Sequence, residues 1–430
     1  MRKRHWKLNM ILLVCLLNMA LFAGCEQPSD TWQRAVKGLE IVFEKAKDTI
    51  FDIFGTGNYG TYNSDTGDSD IDVSVGEQSA ASMGEQSGDS AKRQEQTVTE
   101  RYAYEQLSEE GQQTYDKMLS AILNYEEKVA LDIRDTKLMK KAYAALTSDH
   151  GELFWVEGYS FTRYTKGTEL VGLDFAPNYT MTEPEKEEKQ RQVDAVAAEW
   201  LAGSSPSASD YEKAKYVFET LIRQVDYVEE ASDSQNILSV FLNRQTVCQG
   251  YACATQYLLR QLGVASSIVT GEASDGAGGG LHAWNLVKLD GAYYYMDTTW
   301  GNGAYHMAGN GEQGKFVNYN FLCMTDAEAM NFYRADRQIS LPVCSSMENN
   351  YYVREGRYFE SWDPEVIGAV LRAAWEDGSG SVSIKCASAE LCEKVKDYFI
   401  TQEKIADYCR RIQNVYYMES PEFRVITVNF

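Results

Sequence analysis

Thr246-Val-Cys-Gln-Gly-Tyr-Ala252 is the stretch whose reading decides the fold. A cysteine stands where a loop passes into an amphipathic helical run, Ala252 to Leu262. A thiol at a helix N-terminus feels the positive end of the macrodipole, which favours the thiolate. Downstream come Leu281-His-Ala-Trp-Asn285 and Tyr295-Met-Asp-Thr-Thr-Trp300. Cys248, His282 and Asp297, in that order, are the parts of a thiol-nucleophile triad: nucleophile, base, and the carboxylate that orients the base.

The hairpin between the second and third motifs brings two of these groups together. Asp290-Gly291 joins two apolar runs, and Asp-Gly is a favoured two-residue hairpin turn. With that turn Leu289 faces Ala292, Trp284 faces Asp297 and His282 faces Thr299. His282 and Asp297 then share one sheet face as diagonal neighbours, roughly 7–8 Å apart. A one-residue slip would put them on opposite faces.

The three motifs resemble the transglutaminase-like superfamily, whose fold is papain-like. Its pattern is a nucleophile helix of the type G/S-V-C-x-G-Y-A, a strand of the type H-A-W-N and a strand of the type D-x-T-W. This chain has Val247-Cys248-Gln249-Gly250-Tyr251-Ala252, His282-Ala283-Trp284-Asn285 and Asp297-Thr298-Thr299-Trp300. The specific resemblance covers Ser209 to Trp300. A looser likeness to bacterial transglutaminase-core lipoproteins runs from Leu107 to Cys344. The resemblance implies Cys248 as nucleophile, His282 as base and Asp297 as orienter. It also implies a second oxyanion donor upstream, for which Tyr227, Asn243 and Gln245 are the candidates. Trp284 and Trp300 are expected as cleft walls, with packing under the sheet as the alternative.

The N-terminus reads as an export signal. Arg2, Lys3, Arg4 and Lys7 precede the apolar run Met10 to Ala23, which is shorter than the roughly 20 residues of a bilayer span. Leu21-Phe-Ala-Gly-Cys25 resembles a bacterial lipobox, although Phe22 stands where Leu is usual. That resemblance implies lipidation at Cys25 and a location on the outer face of the bacterial cytoplasmic membrane. Ordinary secretion is the alternative.

With 41 Lys+Arg against 63 Asp+Glu, the net charge is -22. The four basic residues of the leader have no acidic counterpart, so the rest is more acidic still. That argues against nucleic acid and anionic lipid as partners and suits basic or amine-bearing ones, with a merely solvating surface as the alternative. Four histidines, one of them in the leader, argue against a zinc site, and no cofactor is expected. Nine cysteines include Cys15 and Cys25. Of the other seven, Cys386 with Cys392 and Cys323 with Cys344 are possible bridges. An odd count leaves at least one free thiol, as a nucleophile requires. Cys253, about 140° round the helix from Cys248, reads as a buried apolar residue. His150 reads as a turn residue and His306 as a loop residue.

The fold class expected is α+β, a nucleophile helix packed on an antiparallel sheet. Residues 1–24 are the leader. Residues 25–54 hold an amphipathic helix, Thr31 to Phe54, and 55–99 form a Gly/Ser/Asp-rich disordered linker. Residues 100–208 are a helical and β part. It comprises helices over Glu100 to Leu146, a strand pair around Lys166-Gly167-Thr168, and a helix over Pro184 to Ala202. Residues 209–345 are the core. A helix over Asp210 to Tyr227 is followed by a short one over Asn236 to Leu242, then the cysteine helix. A strand over Ser266 to Gly271 and a loop over Ala273 to Gly280 lead into the hairpin. After the Trp300 to Gly314 loop come a strand at Asn320 to Met324 and a helix over Thr325 to Tyr333. Residues 346–430 are a small α+β module. Its expected elements are a hairpin over Tyr351 to Glu360, a helix over Pro364 to Trp375, a strand over Val382 to Cys386, a helix over Ala389 to Ile412 and a last hairpin.

Two function classes follow. One is a thiol enzyme acting on amide bonds of envelope proteins or wall peptides, by hydrolysis or by acyl transfer. The other is a non-catalytic adhesion or scaffold lipoprotein on the same fold. The intact triad favours the first.

Overall fold

The apolar stripe of the helix ahead of the cysteine motif shows how the core is organised. Ala214, Val217, Phe218, Leu221 and Ile222 recur at helical spacing and are all fully buried. They lie on the helix Asp210–Gln224, opened by a capping box between Ser209 and Glu212. The computed structural model describes residues 101–274, 279–303 and 316–430. All of them lie in the second of two compact units of the chain, Thr61–Phe430. The leader, Cys25, the Thr31 to Phe54 helix, the 55–99 linker and His306 lie outside the described residues.

In chain order the helices are α1 (Tyr102–Glu105), α2 (Glu109–Leu123), α3 (Thr136–Asp149), α4 (Glu183–Leu201), α5 (Asp210–Gln224), α6 (Cys248–Gln261), α7 (Thr298–Gly301), α8 (Asp326–Ala329), α9 (Tyr351–Arg354), α10 (Pro364–Glu376), α11 (Ala389–Lys396) and α12 (Ile405–Tyr408). The strands are β1 (Val129–Leu131), β2 (Val156–Lys166), β3 (Glu169–Tyr179), β4 (Asp226–Tyr227), β5 (Gln245–Thr246), β6 (Ala265–Ser274), β7 (Gly279–Leu289), β8 (Ala292–Met296), β9 (Tyr333–Ala335), β10 (Tyr358–Phe359), β11 (Ser381–Cys386), β12 (Tyr416–Ser420) and β13 (Val425–Asn429). The class is α+β.

The central sheet is antiparallel, in the order β8-β7-β6-β9, and α6 packs on β6 and β7. Leu289 pairs with Ala292, and the register runs unbroken to Asn285 with Met296. Asp290 and Gly291 both have positive φ, 51° and 85°, as the type I′ turn requires. The strand then ends at Met296, so the expected pairing of Trp284 with Asp297 does not form. Thr298 begins α7, so His282 does not face Thr299 as the extended hairpin predicts. Asp297 instead caps the new helix through its own carboxylate.

Other departures have local causes. Strands β6 and β7 stay paired out to Ser274 with Gly279, so both ends of the expected Ala273 to Gly280 loop are strand. The expected strand at Asn320 to Met324 is a 3-10 turn, Tyr319–Phe321, followed by a single bridge from Met324 to Tyr295. The expected helix over Thr325 to Tyr333 stops at Ala329. Tyr333 then joins the sheet, because Tyr333–Ala335 pairs with Gly271 to Ala273. In place of the Tyr351 to Glu360 hairpin stand α9 and β10, and β10 pairs in parallel with β11. The helical expectation for Glu100 to Leu146 missed β1, which is too short to show an alternation.

The N-terminal part is held to α6 by buried polar groups. Gln256 accepts from Gly151 N (2.7 Å) and donates to Ser148 O and Ser266 O. Asp149, 1% exposed, accepts from Ala103 N, Tyr104 N and Ser267 Oγ. Burial raises its pKa above the ordinary aspartate value although these donors oppose the shift. His150 caps α3 and meets Glu152 at 2.6 Å.

The C-terminal module is a sheet in the order β10-β11-β13-β12 under α10 and α11, with a core that includes Ile367, Leu371, Ile384, Val395, Phe399 and Ile426. The helix expected to reach Ile412 breaks after Thr401. Cys386 and Cys392 face each other as free thiols, and Cys323 and Cys344 are also free. One buried ion pair joins module to core. Lys385, 1% exposed, reaches Glu328 Oε1 at 2.5 Å and donates to Phe423 O at 2.6 Å. Burial pulls the Lys385 pKa down, and Glu328 opposes it.

Removing one partner of such a pair strands the other charge in a dry interior, which costs about 3–5 kcal/mol. Lys385→Met is therefore expected to destabilise the chain by about that much in urea unfolding. Lys385→Met with Glu328→Gln should recover most of the loss. Additive losses in that cycle would show that the two groups do not couple.

Candidate active site

Each motif residue has a mechanical reason for its identity. Cys248 is the first residue of α6, with Val247 in extended backbone before it. Gly250 faces a packed polar knot in which Ser239 Oγ meets Thr246 Oγ1 at 2.7 Å and Thr246 Oγ1 donates to Ser234 O. A Cβ at Gly250 would lie 1.9 Å from Thr246 Oγ1, so only glycine lets the helix start there. Tyr251 is fully buried. It donates to Val225 O (2.8 Å) and accepts from Asn302 Nδ2 (3.1 Å). Asn285 donates to Ala252 O at 3.0 Å, and Thr298 Oγ1 meets Thr255 Oγ1 at 3.0 Å. The second and third motifs are thus bonded directly to the helix that carries the first.

The structure brings Cys248, His282 and Asp297 together. His282 Nε2 donates to Asp297 Oδ2 at 2.7 Å, and His282 is in hydrogen-bond contact with Cys248. Because Nε2 is held by the carboxylate, Nδ1 is the ring nitrogen left for the thiol. Cys248 is half-buried, whereas His282 and Asp297 are buried at 9% and 1% exposure. Of the three residues, Cys248 is the one open to solvent.

Sequence reasoning missed Tyr333. Its hydroxyl donates to Asp297 Oδ2 at 2.7 Å, the same oxygen that holds His282. The other oxygen, Oδ1, accepts from Thr299 N (2.8 Å) and Trp300 N (3.0 Å). The aspartate is therefore held in one orientation by four donors. Burial and the neighbouring Asp297 charge push the Tyr333 pKa well above its ordinary value, so the hydroxyl stays a donor. Tyr333 comes close because β9 lies against Gly271, where a Cβ would meet Arg334 O at 2.2 Å. Gly271 pairs with His282 across β7 and with Ala335 across β9. That glycine is the one sequence signal of a backbone approaching there.

Trp284 and Trp300 are 1% and 5% exposed. They form an aromatic wall about the imidazole: its centroid lies 6.1 Å from Trp284, 5.5 Å from Trp300 and 5.9 Å from Tyr333. Of the oxyanion candidates, Tyr227 pairs with Thr246, two residues ahead of Cys248, while the Asn243 and Gln245 side chains are exposed. Cys253 is fully buried. No group of three or more His, Cys, Asp or Glu able to hold a metal occurs among the described residues.

Burial pulls the His282 pKa down, but the charge of Asp297 and the contact with Cys248 outweigh it and raise it to about 10. The folded value is above the ordinary 6.5. The stabilisation that the pair gives is therefore complete below pH 6.5 and is lost as pH rises through about 10. Asp297→Asn removes the raising charge and leaves the burial. The imidazole midpoint, followed by ¹⁵N NMR of His282, should fall from about 10 to 6.5 or lower. An unchanged midpoint would mean that Asp297 does not control the imidazole.

Residues 195–298 match the family model of the transglutaminase-like superfamily. The mouse kyphoscoliosis peptidase is 27% identical over 108 residues, which is 22% of this chain and 16% of the peptidase. The chain thus spans a small part of that relative. A crystal structure of a TGase aligns with a TM-score of 0.25 at 14% identity, over 37% of this chain and 46% of the other. An arylamine N-acetyltransferase from Bacillus cereus, described as having a Cys-His-Glu triad, aligns with a TM-score of 0.21 at 15% identity, over 28% and 50%. Residues 195–298, which hold Cys248, His282 and Asp297, are thus a transglutaminase-like segment of this chain.

Proposed function

We propose that this chain is a lipid-anchored surface protein whose thiol site acts on amide bonds of envelope proteins or wall peptides, by hydrolysis or by acyl transfer. The observation that carries the reading is the 2.7 Å His282–Asp297 bond beside a half-buried cysteine at a helix N-terminus. A peptidase among the relatives supports amide chemistry.

In this mechanism the Cys248 thiolate attacks the carboxamide carbon, and the carbonyl electrons move onto oxygen. The backbone N–H of Cys248, at the head of α6, donates to that oxyanion. The C–N bond then breaks as the leaving amine takes the His282 Nδ1 proton, leaving a thioester. Water, or a lysine amine, gives a proton back to Nδ1 and attacks the thioester carbon. Sulfur leaves as thiolate, and the product is an acid or a new amide. The Asp297 carboxylate holds the ring in place through these steps.

Purified chain, incubated with glutamine peptides, a fluorescent amine and wall fragments, should give new peptide termini or amine incorporation, and Cys248→Ser should give neither. Indistinguishable products from parent and variant would move the assignment to a scaffold.

Anchoring rests on the basic leader, the short apolar run and Gly24-Cys25. No helix among the described residues is long and apolar enough to cross a membrane. In cells fed a palmitate analogue, the parent should label and sediment with membranes, and Cys25→Ala should do neither. Persistent labelling of the variant would place the anchor elsewhere.

A further inference from the structure

We propose that the cavity beside Trp284 and Tyr333 is a recognition subsite for a lysine side chain of the substrate. The cavity holds about 370 Å³, within the range of roughly 300–1,000 Å³ typical of ligand pockets. Its walls include Trp284, Tyr295 and Tyr333, the carboxylate of Asp326, and Met330 and Val343. Neither Cys248 nor His282 lines it. The cation held there is thus a recognition group and not the amine that meets the sulfur.

The lining is that of a site for an aliphatic stem ending in a positive charge. Aromatic faces attract ammonium groups, and a carboxylate among them adds the opposite charge. Asp326 accepts from Cys344 N at 2.8 Å and from the Tyr295 hydroxyl. No cation among the described residues pairs with it. Met330 and Val343 stand 72% and 77% exposed at the mouth, as apolar surface for the four methylenes of a lysine. Trp284 Nε1 is buried without a hydrogen-bond partner, the one such side-chain group among the residues lining the cavity. The excess of 63 acidic over 41 basic residues favours the same ligand at longer range.

The subsite lies within a peptide's reach of the chemistry. Trp284 and Tyr333 line it and also flank the imidazole, at 6.1 and 5.9 Å between centroids. An extended chain rises about 3.3 Å per residue, so the lysine would sit some two or three residues from the reacting amide. The inference rests on the amide-bond reading only in calling the peptide a substrate. The test below reads binding, so an inactive enzyme leaves its result intact.

The full chain is titrated calorimetrically with N-acetyl-lysine N-methylamide, with its neutral norleucine analogue and with pentylammonium. The lysine compound should bind tightest. Asp326→Asn should weaken it roughly tenfold and leave norleucine unchanged. Val343→Lys, at an exposed site that tolerates the change, should also weaken lysine binding, and the effect should fade in high salt. Equal binding of the lysine and norleucine compounds overturns the proposal. So does lysine binding that neither variant weakens. Pentylammonium binding as tightly as the blocked lysine overturns the assignment to a peptide.

Discussion

The carboxylate of Asp297 is the group on which the rest of the site depends. A charge at 1% exposure is tolerated only if its lone pairs are met, because an unpaired buried ion costs several kcal/mol. Here four donors meet it, and they come from three different structural commitments. Two backbone N–H groups exist only because the hairpin strand gives way to α7 at Thr298. The imidazole is delivered by β7 and the phenol by β9. Asp297 thus requires the helix cap, the hairpin and the edge strand together.

The same carboxylate decides a contest at His282. Burial alone would leave the imidazole neutral at physiological pH. One ionised partner at 2.7 Å in a water-poor setting outweighs that penalty and makes the ring a cation. In the proposed mechanism that ring carries the proton that the leaving amine takes. The aromatic wall of Trp284, Trp300 and Tyr333 keeps water from screening the pair.

Much of this was legible in the chain itself, for definite reasons. The Asp-Gly turn has one favoured geometry, so the register from Leu289 to Asn285 followed from two residues. The helix that opens at Cys248 followed from its apolar periodicity, whereas the close approach at Gly250 emerged only from the structure. What escaped was non-local. Tyr333 reaches Asp297 from 36 residues away, through a three-residue strand whose pairing depends on Gly271. Nothing within that strand announces its partner. The end of β8 escaped for a related reason. Asp297 can continue a strand or cap a helix, and the choice is made by contacts such as Asp297 N to Phe321 O that lie far along the sequence.

The C-terminal module is bound into this arrangement by its rings as well as by its charge. Phe423 stacks on Phe332 at 5.0 Å and meets Phe321 at 5.1 Å. Both of those rings contact Trp300, which flanks His282. Lys385 anchors the same region, because its partner Glu328 also accepts from Thr325 N and Oγ1 to close the cap of α8. Helix α8 lies just ahead of β9, and β9 carries Tyr333. The module read from sequence as a separate small α+β unit therefore supports the strand that orients the aspartate. Close-packed interiors transmit displacement rather than absorb it. The edge of the active site is for that reason built jointly by the core and by the last eighty or so residues of the chain.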